Sequence, residues 1–196
     1  MKIPEAFGLL ISWLVISICF SIGTLFAYPQ YFYEVFLLSA SSAGLGFLLH
    51  ELAHRTTARR FGCYAYYQVW PWGIVLALIL TILSQGSLIF AALGAVYITP
   101  MVTTSSLNYN ALKKVYGIIS LAGPSMNLLL VAAFYVLSYA GGYASILAGY
   151  GFQINLWLAA FNLIPIPPFD GSKIFSWSKP IWAAFAIPAW VMTLFL

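Results

Sequence analysis

Charge is what this sequence has least of: eight Lys and Arg and four Asp and Glu amount to 6% of its 196 residues, while 63% are hydrophobic. A water-soluble domain carries about a quarter charged residues. The composition, with a mean hydropathy of +0.95, therefore excludes an ordinary soluble fold and makes the lipid bilayer the solvent. A net charge of +4 does not point to nucleic acid, because eight basic residues are too few for the clustered Lys and Arg of a basic face; no nucleic-acid partner is expected. Cysteine is nearly missing as well. Cys19 lies inside an apolar run and Cys63 follows a basic cluster, so the pair forms neither a disulfide framework nor a CxxC motif, and both are read as packing residues. Internal repeats, low-complexity tracts and flexible linkers are absent, and residues 1–196 are read as a single domain. The first apolar run is long and lacks a small-residue cleavage site, so it is expected to remain as a helix rather than leave as a signal peptide.

What is present is a series of apolar runs: Phe7–Tyr28, Val35–His54, Trp72–Leu83, Leu88–Ile98, Val115–Tyr139, Ala144–Leu163 and Ile181–Leu196. A helix needs about 20 apolar residues to cross the hydrocarbon, so the third and fourth runs are individually short. The expected fold is an all-α polytopic membrane protein with about six transmembrane helices. If Lys2 is cytoplasmic, the first run leads out and the second returns, placing Arg55, Arg59 and Arg60 inside. Lys113, Lys114, Lys173 and Lys179 join them if the two short runs cross as a hairpin, or enter and leave by the same face. Tyr31, Phe32 and Tyr33 on the outside, and Tyr64, Tyr66, Tyr67, Trp70 and Trp72 on the inside, stand where aromatic belts are expected.

The chain has two histidines, and they fall together as His50-Glu51-Leu52-Ala53-His54 at the end of the second run. On a helix, residues four apart project from one face a turn apart, so two imidazoles reach one ion while Glu51 points toward the open coordination position. A carboxylate there takes the proton of an activated water and passes it to a leaving amine. A bare HExxH match is only moderately specific. Inside a membrane helix it weighs more, because ionisable groups there are costly and mark function.

Two imidazoles and a water leave a tetrahedral zinc one ligand short. The acidic residues are Glu5, Glu34, Glu51 and Asp170. Glu5 is terminal, Glu34 falls on the far side and Glu51 is already used, so Asp170 remains by elimination, with the Cys63 thiolate as the alternative. Three prolines, Pro165, Pro167 and Pro168, precede Asp170 and break any regular helix. Irregular backbone at membrane depth is tolerated where it is enclosed or lines a wet cavity, although an ordinary interfacial helix end would read the same way.

Three motifs now stand in order: His50 to His54, Gly123-Pro124-Ser125-Met126-Asn127, and Asn162 through Asp170-Gly171. Together they resemble the HExxH, GPxxN and NxxPxxxxDG motifs of the site-2 protease family, over about residues 35–175. The resemblance implies an intramembrane zinc metalloprotease whose active site lies toward the cytoplasmic side of the membrane. It implies Zn2+ held by His50, His54 and Asp170, a catalytic Glu51, and supporting catalytic roles for Asn127 and Asn162. The implied partner is a transmembrane protein or peptide substrate within the bilayer. Asn amides suit an oxyanion or a substrate carbonyl without adding charge, and equally suit helix packing. No PDZ or CBS module of the kind some relatives carry is recognised.

Gly94 to Ile98 is β-prone and opens on glycine, which suggests a small re-entrant β element near the site, with the second arm of a helical hairpin as the alternative. A non-proteolytic zinc-binding membrane protein or transporter would also use intramembrane His and Asp. It would have no particular use for Glu51 or for the proline-broken segment.

Overall fold

The computed structural model describes residues 3–100 and 109–195; Lys2, on which the orientation above leans, lies outside them. In chain order the elements are α1 (Glu5–Ala27), α2 (Phe32–Arg60), β1 (Cys63–Val69), α3 (Pro71–Leu83), β2 (Gly94–Pro100), α4 (Tyr109–Leu137), α5 (Gly142–Asn162), α6 (Asp170–Trp177) and α7 (Lys179–Phe195). Apart from one two-stranded sheet the described fold is helical. Four stretches are long and apolar enough to cross a membrane, Glu5–Ala27, Pro29–Arg60, Tyr109–Ala140 and Gly142–Asn162, which supports an integral, multi-pass membrane protein. A count of six would need α3 and α7 as well, and these have 13 and 17 residues.

Beside apolar clusters such as Val15, Ile16, Ile154 and Leu158, small and hydroxylic side chains take part in the helix packing, as expected where lipid is the solvent. Ser12, Ser17 and Ser21 on α1 and Ser39 and Ser42 on α2 are fully buried. Ser17, Ser21 and Ser42 bond the carbonyls of Trp13, Ser17 and Leu38 four residues back, so their hydroxyls carry partners into the hydrocarbon. α2 lies between α1 and α4, and α4 also packs on α5 and α6. Arg59 and Arg60 close α2, where cations suit the helix dipole.

The apolar runs at 72–83 and 88–98 do not form a helical hairpin. The first is α3; the second divides between irregular chain and β2, which pairs antiparallel with β1 in the register Cys63↔Pro100 to Val69↔Gly94. β1 alternates buried and open positions along its length. Its inner face, Cys63, Ala65, Tyr67 and Val69, joins Val96 and Ile98 of β2 against Phe47 and Ala58 of α2 and Ile119 of α4. Tyr67 thus departs from the belt expectation. It is 3% exposed, its ring meets Phe47 edge-on at 5.7 Å and its hydroxyl bonds Ser12 at 2.7 Å. Burial, with the neighbouring Glu51 charge adding, pushes the Tyr67 phenol well above its ordinary range despite the Ser12 bond. The sheet therefore lies across the helix that carries the histidines.

Between α5 and α6 the proline-rich segment turns back on itself, fastened by the Trp182 indole donating to the Leu163 carbonyl at 2.8 Å. Phe169 packs edge-on to Phe161 at 4.7 Å, and Phe161 stacks on Trp157 at 4.8 Å. This aromatic column fixes the residue before Asp170 against α5, and so fixes where α6 begins.

Candidate metal centre

His50 and His54 project from one face of α2 toward α4, both 5% exposed, and their Nε2 atoms stand 2.9 Å apart. Asp170, the first residue of α6, brings its Oδ2 to 3.4 Å from the first Nε2 and 3.0 Å from the second. The ligand atoms of the three residues lie within 4.8 Å of one another, and among the described residues they form the group suited to a metal ion. Cys63 is not part of it; its side chain sits in the apolar cluster with Ala58, Ala65 and Ile119.

The hydrogen bonds around the imidazoles decide what that convergence means. The His54 Nδ1 faces the Ile119 carbonyl at 2.7 Å, and a carbonyl only accepts, so the proton is on Nδ1. The His50 Nδ1 faces the Asn127 Oδ1 at 2.6 Å. That amide is oriented by its Nδ2, which donates to the Gly46 carbonyl at 3.2 Å and to Asn155 Oδ1 at 3.0 Å. In the neutral imidazoles both Nε2 atoms then carry lone pairs, and the lone pairs point at each other and at a carboxylate oxygen. A single proton relieves one of these contacts; a divalent cation satisfies all three, and two imidazoles with one carboxylate are a donor set that zinc takes.

Burial alone would raise the Asp170 carboxyl; a proton on the facing imidazoles, at His54 first and at His50, outweighs it and holds the carboxyl well below the ordinary carboxylate range, a charge that a bound cation would otherwise supply. Its second oxygen, Oδ1, lies 3.9 Å from Lys173 Nζ, which is half in solvent and contributes little. Glu51 turns into the same space, and its Oε2 is buried without a hydrogen-bond partner among the described residues. A buried acceptor so placed beside three converging ligands fits a site built for a metal and a hydrogen-bonding reactant.

The GPxxN segment contributes shape as well as an amide. A Cβ on Gly123 would overlap the Nε2 atoms of both His54 and His50, so only glycine lets α4 approach this closely. Gly123→Ala is expected to lower metal affinity by about 10- to 100-fold while leaving the helix content intact, as metal analysis and circular dichroism on the purified protein would register.

Around the triad is a cavity of about 270 Å3 whose wall includes Glu51, Asn162, Trp70 and the β2 residues Gly94 to Ile98. Asn162 donates to the Leu158 carbonyl at 3.0 Å while facing this cavity. Of the residues singled out from sequence, His50, Glu51, His54, Asn162 and Asp170 line one space. Asn127 lines it too, with its amide engaged by His50, Gly46 and Asn155. Sequence reasoning passed over Asn155, Gly46 and the Ile119 carbonyl. An Asn inside an apolar helix was the available signal for the first; a backbone carbonyl leaves none.

Compared with curated proteins, the chain is 39% identical over 171 residues to a protein of Methanocaldococcus jannaschii that carries the provisional name zinc metalloprotease, covering 86% of this chain and 84% of that one. The chain belongs to this zinc metalloprotease family. No family model and no solved structure matches it. Membership of the metalloprotease family and a buried His–His–Asp cluster among membrane-length helices together support a membrane-embedded zinc protease.

Proposed function

We propose that the protein is an intramembrane zinc metalloprotease of the site-2 type, hydrolysing peptide bonds in or near transmembrane segments of other membrane proteins. The observation that carries this reading is the convergence of His50 and His54, with Glu51 beside them on a helix long enough to span a bilayer, and with Asp170 at the start of α6. His50, His54 and Asp170 would hold the ion. Zinc, when bound there, polarises a peptide carbonyl and makes water a competent nucleophile near neutral pH. Glu51 takes the proton of the attacking water and returns it to the amine nitrogen that leaves. The Asn162 amide nitrogen has two hydrogens, one of them bonded to Leu158; the other is available to a substrate carbonyl on the cavity wall. Asn127 serves the site through His50.

The orientation is part of the same proposal. Arg59 and Arg60 end α2, Lys113 and Lys114 open α4, and Lys179 opens α7. Assigning these ends to the cytoplasmic side obeys the positive-inside rule and sets the triad toward that face.

A helical substrate has to unwind before its carbonyl is accessible, and unwinding in lipid strands backbone groups at several kcal/mol each. We assign the replacement partners to the edge of β2 that faces away from β1 and is unpaired among the described residues. The Tyr67 N–H donates to Glu5 at 3.0 Å instead of to β2, so Tyr67 and its partner Val96 form a non-hydrogen-bonded pair, and the Val96 N–H points away from β1. Val96→Pro then removes an outward donor without touching the β1–β2 ladder. Cleavage of a transmembrane substrate is expected to slow by about 3- to 10-fold, the equivalent of ~1 kcal/mol, with zinc content unchanged. Normal cleavage by a folded, zinc-loaded Val96→Pro variant would remove the strand-addition step and leave the protease assignment standing.

A further inference from the structure

Asn155 is the residue whose position the site so far leaves unused. It lies in the middle of α5, is fully buried, and belongs to none of the three motifs. Its Nδ2 donates to the Gly151 carbonyl one turn back at 2.8 Å, and its Oδ1 accepts from Asn127 Nδ2 at 3.0 Å. Room for it is reserved on α2, where a Cβ on Gly46 would run into the Asn155 amide.

We infer that Asn155 is a positioning residue for the metal site, setting which nitrogen of His50 carries the proton. This inference rests on the reading of the triad as a zinc site. The relay has a direction because its far end is a carbonyl, which accepts only: Gly151 O fixes the Asn155 amide, Asn155 Oδ1 fixes the Asn127 amide with Nδ2 toward α5 and Oδ1 toward α2, and Asn127 Oδ1 takes the His50 Nδ1 proton. The Nε2 lone pair is what remains for the ion. Turning the Asn127 amide over would put its NH2 against His50 Nδ1, move the imidazole proton to Nε2, and remove that ligand. Gly46 O opposes this turn from one side and Asn155 from the other, so three helices hold one imidazole tautomer.

The test compares zinc dissociation constants by chelator competition on the detergent-purified full chain, together with the visible spectrum of the cobalt-substituted protein. Asn155→Leu matches the side chain in size and is at home in lipid, so a purely packing role predicts wild-type affinity. The relay predicts a loss of about 10-fold and an altered cobalt spectrum. Asn155→Asp in its neutral form offers the same donor to Gly151 and the same acceptor to Asn127, and is expected to stay within about 3-fold of wild type. The loss from Asn155→Leu should also vanish in an Asn127→Leu background, because the two residues act on His50 in series. If Asn155→Leu does not fold, Asn155→Ala takes its place in the same comparison. Wild-type zinc affinity in the apolar variant, or equal losses with Asn127 present and absent, overturns the inference; a wild type that binds no zinc overturns the metal-site reading beneath it.

Discussion

Glu51→Gln is expected to hold zinc as the wild type does and to cleave at least ~100-fold more slowly, up to about 10,000-fold. The amide keeps the size and polarity of the carboxylate but cannot accept a proton from water. Glu51 is not among the three converging ligands; it lines the same cavity, and its Oε2 is buried without a hydrogen-bond partner among the described residues. Binding and chemistry therefore separate at this position. Metal analysis beside a cleavage assay on the same preparation checks it, and near-normal turnover by the Gln variant would take Glu51 out of the mechanism.

Asp170→Ala should behave in the opposite way. It deletes the one anionic ligand and leaves only two imidazoles to hold the ion, so zinc is expected to fall from about one ion per chain to a small fraction of that, with activity falling alongside. The fold should survive: the turn before α6 is held by Phe169 on Phe161 and by Trp182 on the Leu163 carbonyl, none of which involves the carboxylate. Elemental analysis with circular dichroism separates loss of metal from loss of fold. Full zinc in a folded Asp170→Ala variant would require another third ligand.

The part of the site legible in sequence is the part governed by local geometry. His50, Glu51 and His54 lie within about one helical turn, so their spacing alone places them on one ion. Asp170 was reachable because acids are so few that elimination works, with Cys63 as the alternative; at Gly94–Ile98 the β-prone composition left a strand and a hairpin arm both open. β1 was missed although Cys63, Ala65, Tyr67 and Val69 carry the period of two; a Tyr-rich stretch after a basic cluster also reads as an interfacial belt, and tertiary contact with Phe47 and Ser12 decided between them. Asn155 was hidden because its meaning lies in partners on other helices: its spacing of seven from Asn162 puts both on one face of α5, but only the packing of α4 brings Asn127 to it.

Zinc-loaded wild-type protein in proteoliposomes, mixed with a single-span membrane protein whose transmembrane segment contains a Gly or Pro, tests the central claim most directly. Mass spectrometry of the products is expected to find a new pair of termini within or beside that segment, absent when the zinc is chelated and absent with Glu51→Gln. Folded, zinc-loaded wild-type protein that releases no fragment from any such substrate, or that cuts equally well with Glu51→Gln, would contradict the assignment of His50, Glu51, His54 and Asp170 to intramembrane proteolysis.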